Sequence, residues 1–178
     1  MNKSGLENVQ PLSGEKSLPG RKLMKRFIFG FVAVFWLAMG LAVPVRAAEA
    51  EWLTDFSKAQ SKALTDKKMI LMDFTGSDWC PPCQKLHENV FSKDEFIKFA
   101  NSNLVLVVVD FPEHKELTQE QKKANQALSD KFKADEFPTV ILLNSEGKEL
   151  DRKLGEETTL KGFMKQLRKL QEKEKKKE

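Results

Sequence analysis

A pair of cysteines separated by two prolines is the feature that most limits what this chain can fold into. Cys80-Pro81-Pro82-Cys83 contains both cysteines of the 178-residue chain and directly follows an apolar run and Trp79. Proline is tolerated in the first turn of a helix, because its missing N–H would have no partner there. The unpaired N–H groups and the positive dipole end of a helix N-terminus stabilise a thiolate, which is the nucleophilic form of cysteine. The motif therefore predicts a strand that leads into a redox-active helix.

Residues 24–47 are typical of a secretory signal peptide. Two basic residues open this stretch, an apolar segment of 17 residues (27–43) follows, and a small-residue site then suits cleavage after Ala47. The apolar segment is shorter than the roughly 20 residues of a membrane-spanning helix, so a cleaved signal is favoured over a retained anchor. In both cases the folded part leaves the cytoplasm. We therefore expect a periplasmic or otherwise exported protein, which is anchored to the membrane only if the leader is retained.

The charge of the chain is concentrated in this leader region. Residues 1–23 are polar and unpatterned, and we interpret them as an unstructured extension or as sequence that precedes the true start at Met24. Residues 1–47 hold 7 of the 30 Lys and Arg but only 2 of the 26 Asp and Glu, which leaves a net charge of −1 for residues 48–178. The excess of basic residues therefore gives no indication of nucleic-acid binding.

The remaining chain of about 130 residues has the size of one domain, and its apolar pattern predicts strands alternating with helices. Residues 171–178 form a Lys/Glu tail that we expect to be solvent-exposed. The first predicted elements are a helix over 54–65, with Thr54 as N-cap and Leu64 on its inner face, a strand over 69–74, and the Cys80 helix, with Leu86, Val90 and Phe91 on its inner side. A helix capped at Ser92, a strand over 104–109 and a helix over 118–132 capped by Thr118 follow. The chain then forms a hairpin of strands 139–143 and 148–154 around the turn 144–147, and a last helix capped at Thr158 or Thr159.

Several short motifs occur along this predicted series of strands and helices: Asp73-Phe74, Trp79-Cys80-Pro81-Pro82-Cys83, Asp110, Phe137-Pro138-Thr139 and Gly155. With them, the chain resembles the thioredoxin family over about residues 52–170. The stretch 73–80 looks like that of exported thioredoxin-like proteins related to the C-terminal periplasmic domain of the disulfide-transfer protein DsbD. The resemblance implies an α/β thioredoxin fold, a single domain over residues 48–170 with a central mixed β-sheet flanked by helices.

The resemblance also implies catalytic roles for three residues. Cys80, first in the helix and nearest to solvent, would attack a substrate disulfide, and Cys83, one turn deeper, would resolve the mixed disulfide that results. Asp73, on a buried strand beneath the pair, would accept or relay the proton of Cys83, and burial would raise its pKa toward the working pH. The long strand carries Leu106 where thioredoxin has a lysine to pair with this carboxylate.

Substrate-binding roles are expected for three other residues. In the family the peptide bond before Pro138 is cis and lies against the cysteine pair, where Phe137 exposes its backbone for pairing with substrate. Trp79 is expected to pack beside the disulfide and to shape the substrate surface, with a plain core aromatic as the alternative. Pro81 replaces the glycine of ordinary thioredoxin and removes an N–H near the Cys80 sulfur, which disfavours the thiolate and favours a reductant.

Two functions follow as expectations. The first is an exported protein-disulfide reductase or isomerase that acts on disulfides of other exported proteins and is recharged by a membrane electron donor of the DsbD type. The second is a thioredoxin-fold binding module, in which Cys80 and Cys83 form a fixed disulfide and the groove around Phe137 and Pro138 holds a peptide or protein partner. We expect a monomer, because no added dimerisation domain fits in the remaining chain.

We expect neither a cofactor nor a metal ion. His87 follows Cys83 by four residues and could share its helix face, but a structural zinc site needs four ligands. His114 lies in a loop after Phe111-Pro112 and has no motif spacing that would recruit it as a ligand.

Overall fold

The structure, a computed structural model, describes residues 49–152 and 159–177. Its strands are β1 (Trp52–Leu53), β2 (Met69–Thr75), β3 (Leu104–Asp110), β4 (Thr139–Leu143) and β5 (Glu149–Asp151). Its helices are α1 (Phe56–Asp66), α2 (Pro81–Leu86), α3 (Asp94–Asn103), α4 (Gln119–Phe132) and α5 (Leu160–Lys175), and a π-helical turn (His87–Phe91) continues α2. None of the described helices is long and apolar enough to cross a bilayer.

The five strands form one mixed sheet in the order β1-β3-β2-β4-β5. β2 pairs in parallel with β3 and antiparallel with β4, and β1 and β5 are the edge strands. The parallel pair β2 and β3 is connected through the Cys80 helix and α3, which cross one face of the sheet. This arrangement confirms the predicted thioredoxin fold. The proposed leader and Gly155 lie outside the described residues.

β2 is buried along its whole length, and its alternating side chains reach two separate apolar layers. Ile70, Met72 and Phe74 face the layer formed with α1 and α4. Met69 and Leu71 face the layer formed with α2, the π-helical turn, α3 and α5. Because side chains on a strand alternate with a period of two, Asp73 continues the second series. The strand therefore carries a carboxylate to the face on which the Cys80 helix lies.

An aromatic cluster fixes the far end of the Cys80 helix. The ring of Phe91, in the π-helical turn, lies with its centroid 5.1 Å from that of Phe96 and 5.7 Å from that of Phe163. The ring of Trp52, in β1, also packs against Phe91, with centroids 5.2 Å apart. Leu86, Val90 and Phe91 are buried, as the sequence pattern predicted. The cluster joins β1, α3 and α5 to the helix that carries the cysteines.

Two predicted helix starts are wrong by one or two residues. Asp55, not Thr54, caps α1, because its carboxylate accepts a hydrogen bond from the Lys58 N–H at 3.1 Å. Leu64 was expected on the inner face, yet its side chain is 53% exposed. Ala63 packs against the sheet, and the next residue lies about 100° further round the helix axis.

The helix predicted to be capped at Ser92 begins instead at Asp94, with Lys93 at the N-cap. The hydroxyl of Ser92 donates to the Glu88 carbonyl at 2.8 Å. The Ser92 side chain is therefore bonded to the preceding π-helical turn and does not cap α3. The caps predicted at Thr118 and Thr159 are confirmed, since each hydroxyl accepts a backbone N–H of the first turn.

The predicted turn 144–147 is also confirmed. The Asn144 side chain accepts the N–H groups of Glu146 and Lys148, and Gly147 has a φ of +87°. The strand after it, β5, covers Glu149–Asp151, and residues 153 and 154 of the predicted strand lie outside the described residues.

Replacing Phe96 with alanine should lower the free energy of unfolding by about 3 to 5 kcal/mol, because removal of this fully buried ring of the aromatic cluster leaves a cavity. Leu64→Ala, at an exposed position of α1, is the control and should change it by less than about 0.5 kcal/mol. Urea denaturation of the oxidised protein measures both values. Equal effects of the two substitutions would contradict the assigned core.

Candidate active site

Both cysteines lie at the start of α2 and are joined to each other. Cys80 is the N-cap residue, with an extended backbone, and Cys83 is in the first helical turn. Their sulfur atoms form a disulfide. The Cys80 Sγ accepts a hydrogen bond from the Cys83 N–H at 3.3 Å. Because Pro81 and Pro82 have no N–H, the first backbone donor that the helix offers to this sulfur is that of Cys83.

The two cysteines are equally inaccessible in the disulfide form. Cys80 is 3% exposed and Cys83 is 5% exposed. The expectation that Cys80 lies nearer to solvent is therefore wrong for this form. The two cysteines differ in their position in the helix, since Cys80 is the N-cap residue and Cys83 lies in the first turn.

Asp73 lies beneath this pair and is buried. Its Oδ1 has no hydrogen-bond partner among the described residues. Burial, reinforced by the negative charge of Asp110, raises the pKa of Asp73 to about 7. Asp73 and Cys83 line the same cavity of about 360 Å³, which gives the carboxylate and the inner sulfur a common space.

The residue across from Asp73 on the neighbouring strand is Val108. The sequence comparison pointed to Leu106 as the position that replaces the lysine of thioredoxin, but Leu106 pairs with Leu71, two residues earlier. Val108 also lines the shared cavity. An apolar side chain thus stands beside the carboxylate, consistent with burial as the main cause of its raised pKa.

Asp110, at the end of β3, has a structural role that its motif alone did not reveal. Its carboxylate accepts the Ser77 N–H at 2.9 Å and the Ser77 hydroxyl at 2.6 Å. Its carbonyl accepts the Asn125 side-chain amide at 2.7 Å. Asp110 therefore ties the loop before Cys80 to the end of the sheet and contributes charge near Asp73.

Trp79 lies at the surface beside Cys80. It is 38% exposed, and its indole N–H donates to the Phe111 carbonyl at 2.7 Å. Its ring packs over Gly76, where the Cβ of any other residue would overlap the indole. The Phe137 ring lies edge-on to it at 6.0 Å. Trp79 is thus a surface residue of the site, not a plain core aromatic.

Two other sequence expectations concern backbone and metal ligands. The Phe137–Pro138 peptide bond is cis, as the resemblance implied. His87 is the exposed first residue of the π-helical turn and lines the shared cavity, and His114 lies in the segment after β3. In the part of the chain that the structure describes, no three His, Cys, Asp or Glu side chains are grouped as a metal site.

Comparison with known proteins agrees with this geometry. The disulfide bond reductase DsbH of Chlamydia pneumoniae is 37% identical over 109 residues, which cover 61% of this chain and 65% of DsbH. The thiol:disulfide interchange protein DsbD of Pasteurella multocida is 26% identical over 117 residues, 66% of this chain but 18% of DsbD. A solved structure of a DsbH oxidoreductase superimposes with a TM-score of 0.57 at 37% identity and covers 61% of this chain and 75% of that one.

The chain thus spans less than two thirds of the length of these curated relatives. The model of the thioredoxin-like domain matches residues 56–171, a range that begins with α1 and includes the cysteine pair, Asp73 and the cis-proline. This chain belongs to the thioredoxin-like family.

Proposed function

We propose that this chain is an exported thiol-disulfide oxidoreductase that reduces or isomerises disulfides of other exported proteins through Cys80 and Cys83. The observation that carries the proposal is the cavity that Cys83 shares with the buried carboxylate of Asp73, whose Oδ1 has no hydrogen-bond partner among the described residues. A purely structural disulfide has no use for an ionisable group in this place, whereas thiol exchange needs a proton acceptor. The names of the DsbH and DsbD relatives support the same class of reaction.

The reaction begins with the reduced pair. The Cys80 thiolate attacks one sulfur of a substrate disulfide, a mixed disulfide forms, and the other substrate sulfur leaves as a thiolate. The Cys83 thiol then passes its proton to Asp73 and attacks the Cys80 sulfur. This step releases the second substrate thiolate and closes the Cys80–Cys83 disulfide. The substrate gains two electrons, which the cysteine pair loses.

Asp73 suits the role of proton acceptor because its pKa is close to neutral. A carboxylate with an ordinary pKa near 4 would be too weak a base for a thiol proton. Burial and the charge of Asp110 bring its pKa to about 7, so that both protonation states are populated at working pH.

The two prolines favour electron transfer from the cysteine pair to the substrate, which is the role of a reductant. A thiolate at Cys80 would find one backbone donor in the first turn, the Cys83 N–H, where a helix without prolines offers more. Weaker stabilisation of the reduced form makes a dithiol a stronger electron donor. A membrane donor of the DsbD type would return the two electrons after each cycle.

The remaining parts of the proposal concern the rest of the chain. Residues 24–47 would act as the signal peptide, after an unstructured extension or mis-assigned start over 1–23. The domain over 48–170 would act as a monomer outside the cytoplasm, with Trp79, Phe137 and Pro138 in contact with substrate. If the leader were retained, the same domain would work from a membrane anchor.

The Cys83→Ser variant, with Cys80 reduced, should accumulate a stable mixed disulfide with insulin, because no second thiol is present to release it. Non-reducing gel electrophoresis and intact mass measurement detect the adduct. Cys80→Ser is the matched control and should form none. If neither variant forms an adduct while both still bind the protein, the chain is a binding module with a structural disulfide.

Asp73→Asn should alter the pH dependence of stability. A pKa raised from 3.8 to about 7 means that the folded state holds a proton that the unfolded state has lost, so stability falls as pH rises between these values. The amide cannot ionise, and the variant should be more stable than the wild type at pH 8 by up to about 4 kcal/mol, with little difference at pH 3. Urea denaturation of the oxidised protein across this range measures the effect.

Asp66→Asn, at an exposed position of α1, is the control and should leave the pH profile unchanged. In the same Asp73→Asn protein, release of the insulin mixed disulfide should slow by about 100-fold at pH 7, because the proton acceptor for Cys83 is gone. Stability that changes with pH equally in wild type and variant would refute the assigned pKa, and an unaltered release rate would refute the catalytic role.

A further inference from the structure

Asp78, two residues before Cys80, binds an entire stretch of backbone with one carboxylate. Its Oδ1 accepts the Glu113 N–H at 3.0 Å, and its Oδ2 accepts the N–H groups of His114 and Lys115 at 2.9 and 3.1 Å. The side chain is 13% exposed. Burial acts to raise the pKa of Asp78, but the three N–H bonds and the nearby His114 side chain together lower it below its ordinary value. The carboxylate is therefore ionised at neutral pH.

The neighbours of Asp78 fasten the same stretch of chain, which we call the 110–115 segment. Ser77 is bonded to the carboxylate of Asp110, and the Trp79 indole N–H donates to the Phe111 carbonyl. The Phe111 N–H in turn donates to the Thr75 carbonyl at 2.8 Å. All three residues that precede Cys80 are thus bonded to the 110–115 segment.

The segment contributes one ring, Phe111, to an aromatic surface that is exposed at Trp79, the residue before Cys80. Phe111 and Phe137 are partly buried and also pack against the apolar layer formed with α1 and α4. Phe111 stacks on Phe137, with centroids 5.1 Å apart and planes at 24°, and Phe137 contacts Trp79 edge-on. Phe111, Phe137 and Trp79 form what we call the aromatic wall. Apart from Leu64, Trp79 is the only exposed large hydrophobic residue in the described part of the chain. A polypeptide with an apolar side chain next to its cystine would bury that side chain here.

We propose that Asp78 is a positioning residue: it holds the 110–115 segment so that the aromatic wall stands beside Cys80 and selects polypeptide disulfides flanked by apolar side chains. The inference rests on the proposed function, because it takes Cys80 as the attacking group. Asp78 touches neither sulfur in the structure and acts through the position of Phe111. The proposed reaction does not use the Asp78 carboxylate. Its bonds to three consecutive N–H groups give a physical reason for a carboxylate next to Trp79.

A carboxylate is the side chain that this arrangement requires. Asparagine would keep one acceptor oxygen and would place an NH₂ group, which cannot accept, against N–H groups of the segment. At least one of the three bonds would be lost, and a donor would face a donor. Asp78→Asn should therefore loosen the segment while leaving the volume of the side chain nearly unchanged.

The test compares two peptide disulfides of equal length and charge, one with phenylalanine and one with serine on either side of the cystine. The full chain is reduced first, and the single-turnover rate with each peptide is measured, so that each peptide disulfide takes two electrons from the Cys80–Cys83 dithiol. The wild type should prefer the phenylalanine peptide. In Asp78→Asn the ratio of the two rates should fall roughly three- to tenfold, the worth of one or two aromatic contacts.

Asp55→Asn is the matched control, because its carboxylate also accepts a backbone N–H but caps α1. Its rate ratio should equal that of the wild type. Phe111→Ala provides a second route, since it removes the ring and keeps the backbone bonds to Thr75 and Trp79, and it should lower the ratio in the same way. It decides the matter if Asp78→Asn does not fold.

Three results would overturn the inference. A wild type that reduces both peptides at equal rates has no such selectivity. Folded Asp78→Asn and Phe111→Ala proteins that keep the wild-type ratio of rates would show that the aromatic wall does not select the substrate. If Asp78→Asn lowers the rates for both peptides by the same factor, Asp78 has a purely structural role. A wild type that reduces neither peptide would instead refute the proposed function itself, and the selectivity with it.

Discussion

The placement of one carboxylate on the apolar face of β2 is the constraint on which the rest of the site depends. Asp73 stands in the series of Met69 and Leu71, so the strand that organises the sheet also delivers an ionisable group beneath Cys83. Such a group costs stability when it is charged, and its raised pKa expresses that cost. Burial in this layer is the main cause of the raised pKa, and in the proposed reaction it would make Asp73 a base of suitable strength for the Cys83 proton.

A second set of contacts arranges the surface above this buried group. The ends of β2 and β3 pair up to Thr75 and Asp110, and the two loops that follow them are fastened to each other by Ser77, Asp78 and Trp79. The cysteine helix therefore starts from a loop that has little freedom to move. The proposed proton acceptor beneath the disulfide and the proposed recognition surface above it thus depend on the same two strand ends.

Much of this could be predicted from the sequence. The Cys80 helix and its apolar face follow from the local pattern of cysteine, proline and periodic apolar residues. The fold and the cis bond before Pro138 follow from the resemblance to the thioredoxin family, not from local chemistry. What could not be predicted depends on contacts between distant segments. The neighbour of Asp73 is Val108, not Leu106, since strand register is set across the sheet. In the sequence, Asp78 resembles any other loop residue, and its role is visible only in the structure, where its carboxylate binds the 110–115 segment. The burial of Cys80 likewise needs the folded surroundings.

The reduction potential of the Cys80–Cys83 pair tests the central claim most directly. The protein is equilibrated in dithiothreitol and glutathione redox buffers, and its free thiols are trapped and counted by mass. The account predicts a reversible two-electron couple at or below about −230 mV, the range of a reductant. A potential above about −180 mV, or a disulfide that cannot be reduced without unfolding the chain, would contradict it.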